Sequence, residues 1–228
     1  MALYVIGDLH LSFGCDKPMD VFGGRWENYT EKLRDGFSTV RPEDTTVLCG
    51  DISWGMTLAE AREDFLFIHA LPGRKIILKG NHDYWWTTVA QADRFLEGNG
   101  VDSISFLNNN AFLYGDLALC GSRGWADDAG EDKEHDQRML RRELIRLEAS
   151  LKAAGEHEKL VFLHYPPKVL TSEWTDAIDL MCAYGVKRCF YGHLHGAGCA
   201  QAFEGEYRGI RFRLVSADHV QFIPQKII

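Results

Sequence analysis

Five short apolar runs of this chain each end in a group that carries histidine or aspartate, and this repetition constrains the fold more than any other feature. The runs are rich in β-branched and aromatic residues, which is typical of buried strands. The groups are Asp8-Leu9-His10, Gly50-Asp51, Gly80-Asn81-His82-Asp83, His164 and Gly192-His193-Leu194-His195. In open α/β sheets, ligand sites collect at the carboxyl ends of strands. The sequence therefore predicts that all five groups meet at one shared edge.

Taken alone, Gly80-Asn81-His82-Asp83 also fits an ordinary turn, because Gly, Asn and Asp are common turn residues. The same layout at four other strand ends favours a functional site instead. Asp8 and His10 support this interpretation, since side chains two positions apart on an extended segment point to the same side. That spacing suits two ligands of one metal ion.

The order of apolar patterns predicts a layered α/β domain with mixed sheets. Helices are predicted at residues 29–40, 57–71, 87–96, 136–154 and 175–184. The stretches 104–121 and 200–223 are interpreted as antiparallel strands, and the acidic stretch 127–136 as a solvated loop. Residues 1–228 are expected to form a single domain, because α/β domains of up to about 250 residues are common.

The composition limits the partners of this chain. Its formal net charge of -8 argues against nucleic acid, whose backbone is bound by clustered Lys and Arg. A small phosphorylated substrate held by metal ions is compatible with this charge. No apolar run approaches the ~18 residues of a membrane span, and the N-terminus lacks a signal-peptide pattern. We therefore expect a cytoplasmic protein without membrane contact, whose oligomeric state the sequence does not indicate.

Seven side chains in the five groups offer oxygen or imidazole donors without a thiolate. They are Asp8, His10, Asp51, Asn81, His164, His193 and His195. Such a donor set suits manganese, iron, zinc, cobalt or nickel. Seven ligands exceed the four that a single tetrahedral ion takes, so two divalent or mixed-valence ions with a bridging carboxylate fit better. Ions about 3.5–4 Å apart can hold the attacking and leaving oxygens of a phosphoryl displacement.

His82 is left outside this ligand set. An imidazole beside a metal cluster can act as a general acid for the departing alkoxide, and Asp83 is a candidate to orient it. Four further residues are candidate substrate contacts, namely Arg25, Trp26, Trp54 and Arg123. A solvated loop position for Arg25 and a surface salt bridge for Arg123 are the simpler alternatives.

The five groups, in this order, resemble the signature blocks of the calcineurin-like metallophosphoesterases. The blocks cover nearly the whole chain, and residues 8–14 and 81–86 further resemble small uncharacterised bacterial members. The resemblance implies a four-layer αββα sandwich of two mixed β-sheets flanked by helices. It also implies one metal held by Asp8, His10, Asp51 and His195. The second would be held by Asp51, Asn81, His164 and His193, with Asp51 bridging and His82 assisting catalysis.

These features predict a dimetal phosphoesterase that hydrolyses a phosphomonoester or phosphodiester by attack of metal-bound hydroxide. Ser/Thr protein phosphatases that resemble this family carry Arg and Asp where this chain has Lys79 and Trp54, which argues against protein phosphatase activity. Cyclic-nucleotide phosphodiesterase relatives carry His-His-Pro-Pro where this chain has His164-Tyr165-Pro166-Pro167. This difference weakens that assignment without excluding it.

Two alternatives come from other functional classes. A non-catalytic metal-binding scaffold is disfavoured because all seven ligand candidates and His82 are present. A nuclease of the same superfamily is disfavoured by the acidic composition.

Overall fold

The computed structural model describes residues 1–125 and 133–228. Its strands are β1 (Leu3–Ile6), β2 (Thr45–Leu48), β3 (Arg74–Ile77), β4 (Ile104–Phe106), β5 (Phe112–Tyr114), β6 (Leu117–Ser122), β7 (Glu158–Leu163), β8 (Arg188–Tyr191), β9 (Gly205–Tyr207), β10 (Ile210–Leu214) and β11 (Gln225–Lys226). Its α-helices are α1 (Tyr29–Phe37), α2 (Arg62–Ala70), α3 (Val89–Gly98), α4 (Lys133–Ala153) and α5 (Thr175–Ala183).

The strands form two mixed sheets. The first has the order β11-β1-β2-β3-β4, and the second has the order β5-β6-β7-β8-β10-β9. The inner pairs of both sheets are parallel. The edge strands β11, β5 and β9 pair antiparallel. Parallel inner strands place their carboxyl ends at a common edge of each sheet.

Three hydrophobic cores separate four layers. Ile6 of β1 packs in a core with Leu33 of α1 and Phe65 of α2, on the outer face of the first sheet. The neighbouring residue Val5 points the other way and joins Phe162 of β7 in the core between the sheets. Helices α4 and α5 cover the second sheet through a third core. Both faces of each sheet are therefore buried, and the predicted αββα sandwich is confirmed.

Two stretches predicted as antiparallel sheets are paired differently. Strand β4 pairs parallel with β3 in the first sheet, because the long connection through α3 permits a parallel crossover. Within this stretch, the antiparallel pair is that of β5 with β6. In the other stretch, β10 pairs antiparallel with β9, as predicted, but parallel with β8. This register buries Ile210, Phe212 and Leu214 in the core beneath α5.

The helix predicted from residue 57 begins five residues later, at Arg62. The Thr57 hydroxyl accepts a hydrogen bond from the backbone N–H of Glu60, whose carboxylate accepts one from Met56. These bonds stabilise a turn in place of the first helical turn.

Residues 127–132 of the stretch predicted as an acidic loop (127–136) lie outside the described part of the chain. The remainder differs from the predicted loop, because Glu134 and Asp136 lie in the first turn of α4. Acidic side chains at a helix N-terminus interact favourably with the helix dipole. Among the helices that the structure describes, none combines the length and apolar character of a membrane span.

Candidate metal centre

The carboxyl ends of β1, β2, β3, β7 and β8 bring the predicted ligands together between the two sheets. Asp8, His10, Asp51 and His193 adopt positive φ angles of 60°, 47°, 51° and 73°. Such angles are uncommon outside glycine, and they cluster at functional sites. The chain turns sharply after each strand, which directs these side chains to a common point.

The first group of ligand atoms comes from Asp8, His10 and His195. Nε2 of His10 lies 3.1 Å from Nε2 of His195, and Oδ1 of Asp8 lies 3.4 Å from the latter atom. These three donor atoms all fall within 4.8 Å of one another. They surround a space that suits one metal ion, because imidazole and carboxylate are typical ligands of divalent metals.

A second group lies beside the first. Oδ1 of Asn81 is 2.6 Å from Nε2 of His164 and 3.0 Å from Nδ1 of His193. Asp51 lies between the two groups. Its Oδ2 is 3.5 Å from Nε2 of His164 and 3.8 Å from Nε2 of His10. The structure thus brings all seven predicted ligands together, with Asp51 at the position of a shared ligand.

Three glycines permit this close approach. A Cβ on Gly80 would lie 2.0 Å from Oδ1 of Asp51, and a Cβ on Gly192 would lie 2.3 Å from Oδ2 of Asp8. Gly50 has a φ of 83°, and its Cβ would lie 2.7 Å from the backbone of Gly80. A larger residue at Gly80 or Gly192 would push a carboxylate away from the centre, and one at Gly50 would displace the Gly80 backbone.

The electrostatics of the buried carboxylates fit a cation site. Burial and the charge of Asp8 raise the pKa of Asp51 to about 8. Burial opposes the protonated form of His195, but Asp8 and Asp218 raise its pKa to about 10. Divalent ions would compensate the buried charges of Asp8 and Asp51, so the donor set fits metal ions.

His82 lies outside both ligand groups. Its ring is 4.4 Å from that of Trp54 and 5.8 Å from that of His10, and its Nδ1 is 3.5 Å from the Tyr84 hydroxyl. Its backbone N–H donates to Oδ1 of Asp51, which ties this half-buried imidazole to the centre. Burial, followed by the charge of His164, lowers the pKa of His82 to about 4.

The predicted orienting role of Asp83 is wrong. Its fully buried carboxylate accepts hydrogen bonds from the backbone N–H groups of Gly80, Asp51, Ile52 and Ser53. It also accepts one from Nε1 of Trp85. These bonds occupy both oxygens, so Asp83 holds the loops that carry Asp51 and Asn81 instead of contacting the His82 ring.

The candidate substrate contacts occupy three different places. Trp54 stacks on His10 at 5.0 Å and packs against His82, so it forms one wall of the centre. Arg25 is exposed and lines a cavity that Asp218 also borders. Arg123 forms an ion pair with Glu143 at 3.4 Å, in a separate cavity. The side chain of Trp54 thus contacts a predicted ligand, whereas Arg123 meets His164 through its backbone carbonyl.

Three further residues surround the candidate ligands, and of these the sequence indicated only Trp26, as a possible substrate contact. Asp218 is buried, and its Oδ1 lies 2.8 Å from Nδ1 of His195. The Trp26 ring lies 5.6 Å from that of His195, and the Tyr165 ring lies 4.2 Å from that of His193. For Asp218, the available signal was that it follows the apolar run of β10, as the ligand groups follow their strands.

Comparisons with known proteins place this geometry in a family. A family model described as calcineurin-like phosphoesterase matches residues 1–197. No curated protein sequence gave a significant match. Among solved structures, the chain is similar to a protein of unknown function from Aquifex aeolicus, with 19% identity, a TM-score of 0.53, and coverage of 99% of this chain and 95% of that one.

A further similar structure is the phosphopantetheinyl hydrolase from Mycobacterium tuberculosis. It has 14% identity and a TM-score of 0.60, with coverage of 100% of this chain and 95% of that one. At these identities, the likeness to both structures establishes a common fold. The family match extends over most of the chain and includes all five ligand groups, so this protein belongs to the calcineurin-like phosphoesterase family.

Proposed function

We propose that the protein is a dimetal-dependent phosphoesterase that hydrolyses a small phosphomonoester or phosphodiester. The observation that carries this proposal is the position of Asp51 between two groups of converging ligand atoms. One ion would be held by Asp8, His10, Asp51 and His195, and the other by Asp51, Asn81, His164 and His193. Two bound divalent ions supply an activated water and compensate the charge of a phosphate group.

The side chains around the centre hold the ligands and limit the access of water. Asp218 orients the His195 ring through its Nδ1. The rings of Trp26 and Trp54 pack against His10, and that of Tyr165 packs against His193. Asn81 contributes a neutral oxygen, so the centre keeps positive charge for an anionic substrate.

His82 protonates the oxygen of the leaving group. Tyr84 faces its Nδ1, which leaves Nε2 for that oxygen. With a pKa of about 4, the imidazole is neutral near pH 7 in the free protein. A bound phosphate dianion raises this pKa, because an adjacent opposite charge favours the protonated form. Bound substrate therefore favours the protonated imidazole that a general acid requires.

The test combines metal content with turnover. The chain is loaded separately with manganese, iron, zinc, cobalt and nickel, and its metal content is measured by elemental analysis. Hydrolysis of p-nitrophenyl phosphate is then compared with that of its bis ester, which separates monoesterase from diesterase activity. We expect close to two ions per chain and hydrolysis of at least one ester.

The same preparations decide between the alternatives. Less than one ion per chain after loading, without hydrolysis, would favour a scaffold. Cleavage of single- or double-stranded DNA faster than of the small esters would favour a nuclease. The acidic composition supports the small substrate.

A further inference from the structure

A cavity of about 470 Å³ lies beside the metal centre and contains an excess of positive charge. We call it the basic cavity. Among residues 1–125 and 133–228, the charged side chains that line it are Lys79, Arg123, Glu143 and Arg146. Three cations and one carboxylate leave a formal excess of two positive charges, in a chain whose net charge is -8. The charge of this cavity is therefore opposite in sign to the net charge of the chain.

The basic cavity is one strand away from the metal centre on both sheets. Lys79 lies just after β3, in the segment that continues to Asn81 and His82. Arg123 follows β6, and its carbonyl accepts a hydrogen bond from the backbone N–H of His164 at the end of β7. Asn109, which follows β4, completes this edge of the cavity. The segments that carry Lys79 and Arg123 therefore border both the metal centre and the basic cavity.

The positive charge is only partly compensated within the protein. The buried carboxylate of Glu143 lies 2.6 Å from Arg146 and 3.4 Å from Arg123. Lys79 is half-buried, and in residues 1–125 and 133–228 it has no ion pair. A half-buried ammonium gains more from an anionic partner than one in open solvent.

The N-terminus of α3 adds to the positive potential in the basic cavity. Thr88 lines the cavity and is the N-cap of α3, where its hydroxyl accepts a hydrogen bond from the backbone N–H of Gln91. The positive end of the α3 dipole therefore lies at the cavity wall. The Arg123 guanidinium is fixed over the Trp125 ring at 4.8 Å. The guanidinium groups of Arg123 and Arg146 are thus held in place before any ligand arrives.

We propose that the basic cavity binds a second anionic group of the substrate, so that the preferred substrate is a small phosphoester that carries a further carboxylate or phosphate. The inference rests on the proposed function, which places the reacting phosphate at the metals. Lys79 and Arg146 donate charge-assisted hydrogen bonds to the second anion, and such bonds are stronger than those between neutral groups.

The first experiment needs neither metal nor turnover. Inorganic phosphate is titrated by calorimetry into the protein stripped with a chelator. Lys79→Gln and Arg146→Gln should each weaken binding roughly tenfold, as expected for the loss of a hydrogen bond to a charged group. Glu143→Gln should strengthen binding, because it removes the one carboxylate among the described residues that line the cavity. The opposite signs separate a local effect from general destabilisation, which thermal unfolding also monitors.

Arg142→Gln is the matched control, since Arg142 is exposed on the same helix and does not line the basic cavity. We expect its phosphate affinity to equal that of the unaltered chain. Absence of phosphate binding would overturn the anion site. Equal affinities in the Lys79, Arg146 and Arg142 variants would do the same.

The second experiment uses the metal-loaded enzyme and three phosphate esters that share a three-carbon skeleton. Propane-1,3-diol monophosphate ends in a hydroxyl, 3-phosphonooxypropionate in a carboxylate, and propane-1,3-diol bisphosphate in a second phosphate. At least one anionic ester should exceed the hydroxyl ester in kcat/KM by roughly tenfold or more, mainly through KM. Lys79→Gln should reduce that ratio to near one. The more favoured anionic ester identifies the class of the second group.

Hydrolysis of all three esters at equal kcat/KM would overturn the inference and leave the proposed function standing. A preference that persists in Lys79→Gln would also overturn it. Hydrolysis of no ester with any metal would instead contradict the proposed function, and the phosphate titration would then decide the anion site alone.

Discussion

Nδ1 of His195 lies 2.8 Å from Oδ1 of Asp218, a buried carboxylate that belongs to none of the ligand groups. The second oxygen of Asp218 accepts a hydrogen bond from the backbone N–H of Gly196. The carboxylate therefore fixes both the imidazole and the turn that follows it. A partner on the far nitrogen of a ligand histidine sets its orientation and tautomer.

Asp218→Asn should weaken metal binding roughly 10–100-fold, because it removes the charge that holds the His195 ring in place. Calorimetric titration of the metal-free protein with zinc or manganese measures this change. Asp93→Asn, an exposed position on α3, is the matched control. Unchanged affinity in the Asp218 variant would show that the ring needs no such support.

His82→Ala should keep both metal ions and lose most turnover, by roughly 10²–10⁴ in kcat, because His82 lies outside the ligand groups. Elemental analysis and steady-state kinetics on the same sample test both parts. His157→Ala is the control, since His157 is exposed. Hydrolysis at the unaltered rate would remove His82 from the mechanism.

Asp51→Asn should lose metal and activity together, because Asp51 approaches both groups of ligand atoms. An amide offers one neutral oxygen in place of a shared carboxylate. Metal content is measured after loading and desalting, alongside the unaltered chain. Full occupancy by two ions in this variant would contradict the bridging role.

Asp83→Asn should lower the free energy of unfolding by roughly 1–3 kcal/mol, because an amide nitrogen would face backbone N–H groups that now donate to a carboxylate. The shortest of these bonds join the two Asp83 oxygens to the backbone N–H groups of Gly80 and Ile52, at 2.7 and 2.8 Å. Urea unfolding of the metal-free protein measures the difference, with Asp93→Asn as control. An unchanged midpoint would mean that these bonds contribute little.

From the buried Lys75, which lies away from the candidate ligands, we expect a pH dependence of protein stability. Its buried ammonium donates to the carbonyls of Leu71 and Gly73 after α2, and burial lowers its pKa from 10.5 to about 8. Between these values the unfolded chain binds more protons than the folded one, so stability rises with pH. Relative to Lys75→Met, the unaltered chain should therefore gain stability from pH 8 to 10.5.

Urea unfolding across this pH range tests the prediction, with the exposed Lys187→Met as control. The control should change with pH in parallel with the unaltered chain. If the free energy of unfolding of Lys75→Met also changed with pH as that of the unaltered chain does, the Lys75 ammonium would have the same pKa in the folded and unfolded states.

Local patterns were sufficient to predict the candidate ligands and most helices and strands. The spacing of Asp8 and His10, and the apolar runs before Asp51 and His164, are properties of short segments. They predict strand ends and ligands because side-chain direction on a strand depends on neighbouring positions. The helix predicted at 136–154 was likewise recognisable from its leucine spacing, and α4 spans Lys133–Ala153.

Pairing between distant segments was not readable in this way. The choice of β3 as the partner of β4, and of β8 as the partner of β10, depends on which surface each strand buries. The role of Asp83 was misjudged for the same reason. Its position beside His82 suggested an orienting group, whereas its actual partners include Asp51 and Ile52, brought close by the pairing of β2 with β3.

The sequence by itself determined the family, the seven ligand candidates and the layered α/β fold, because these follow from residue types at short spacings. Tertiary structure alone decided that Asp218 supports His195 and that Lys79, Arg123 and Arg146 share one cavity. These residues are far apart in the chain. Their approach results from the burial of both faces of two sheets, which aligns the strand ends and the loops that follow them.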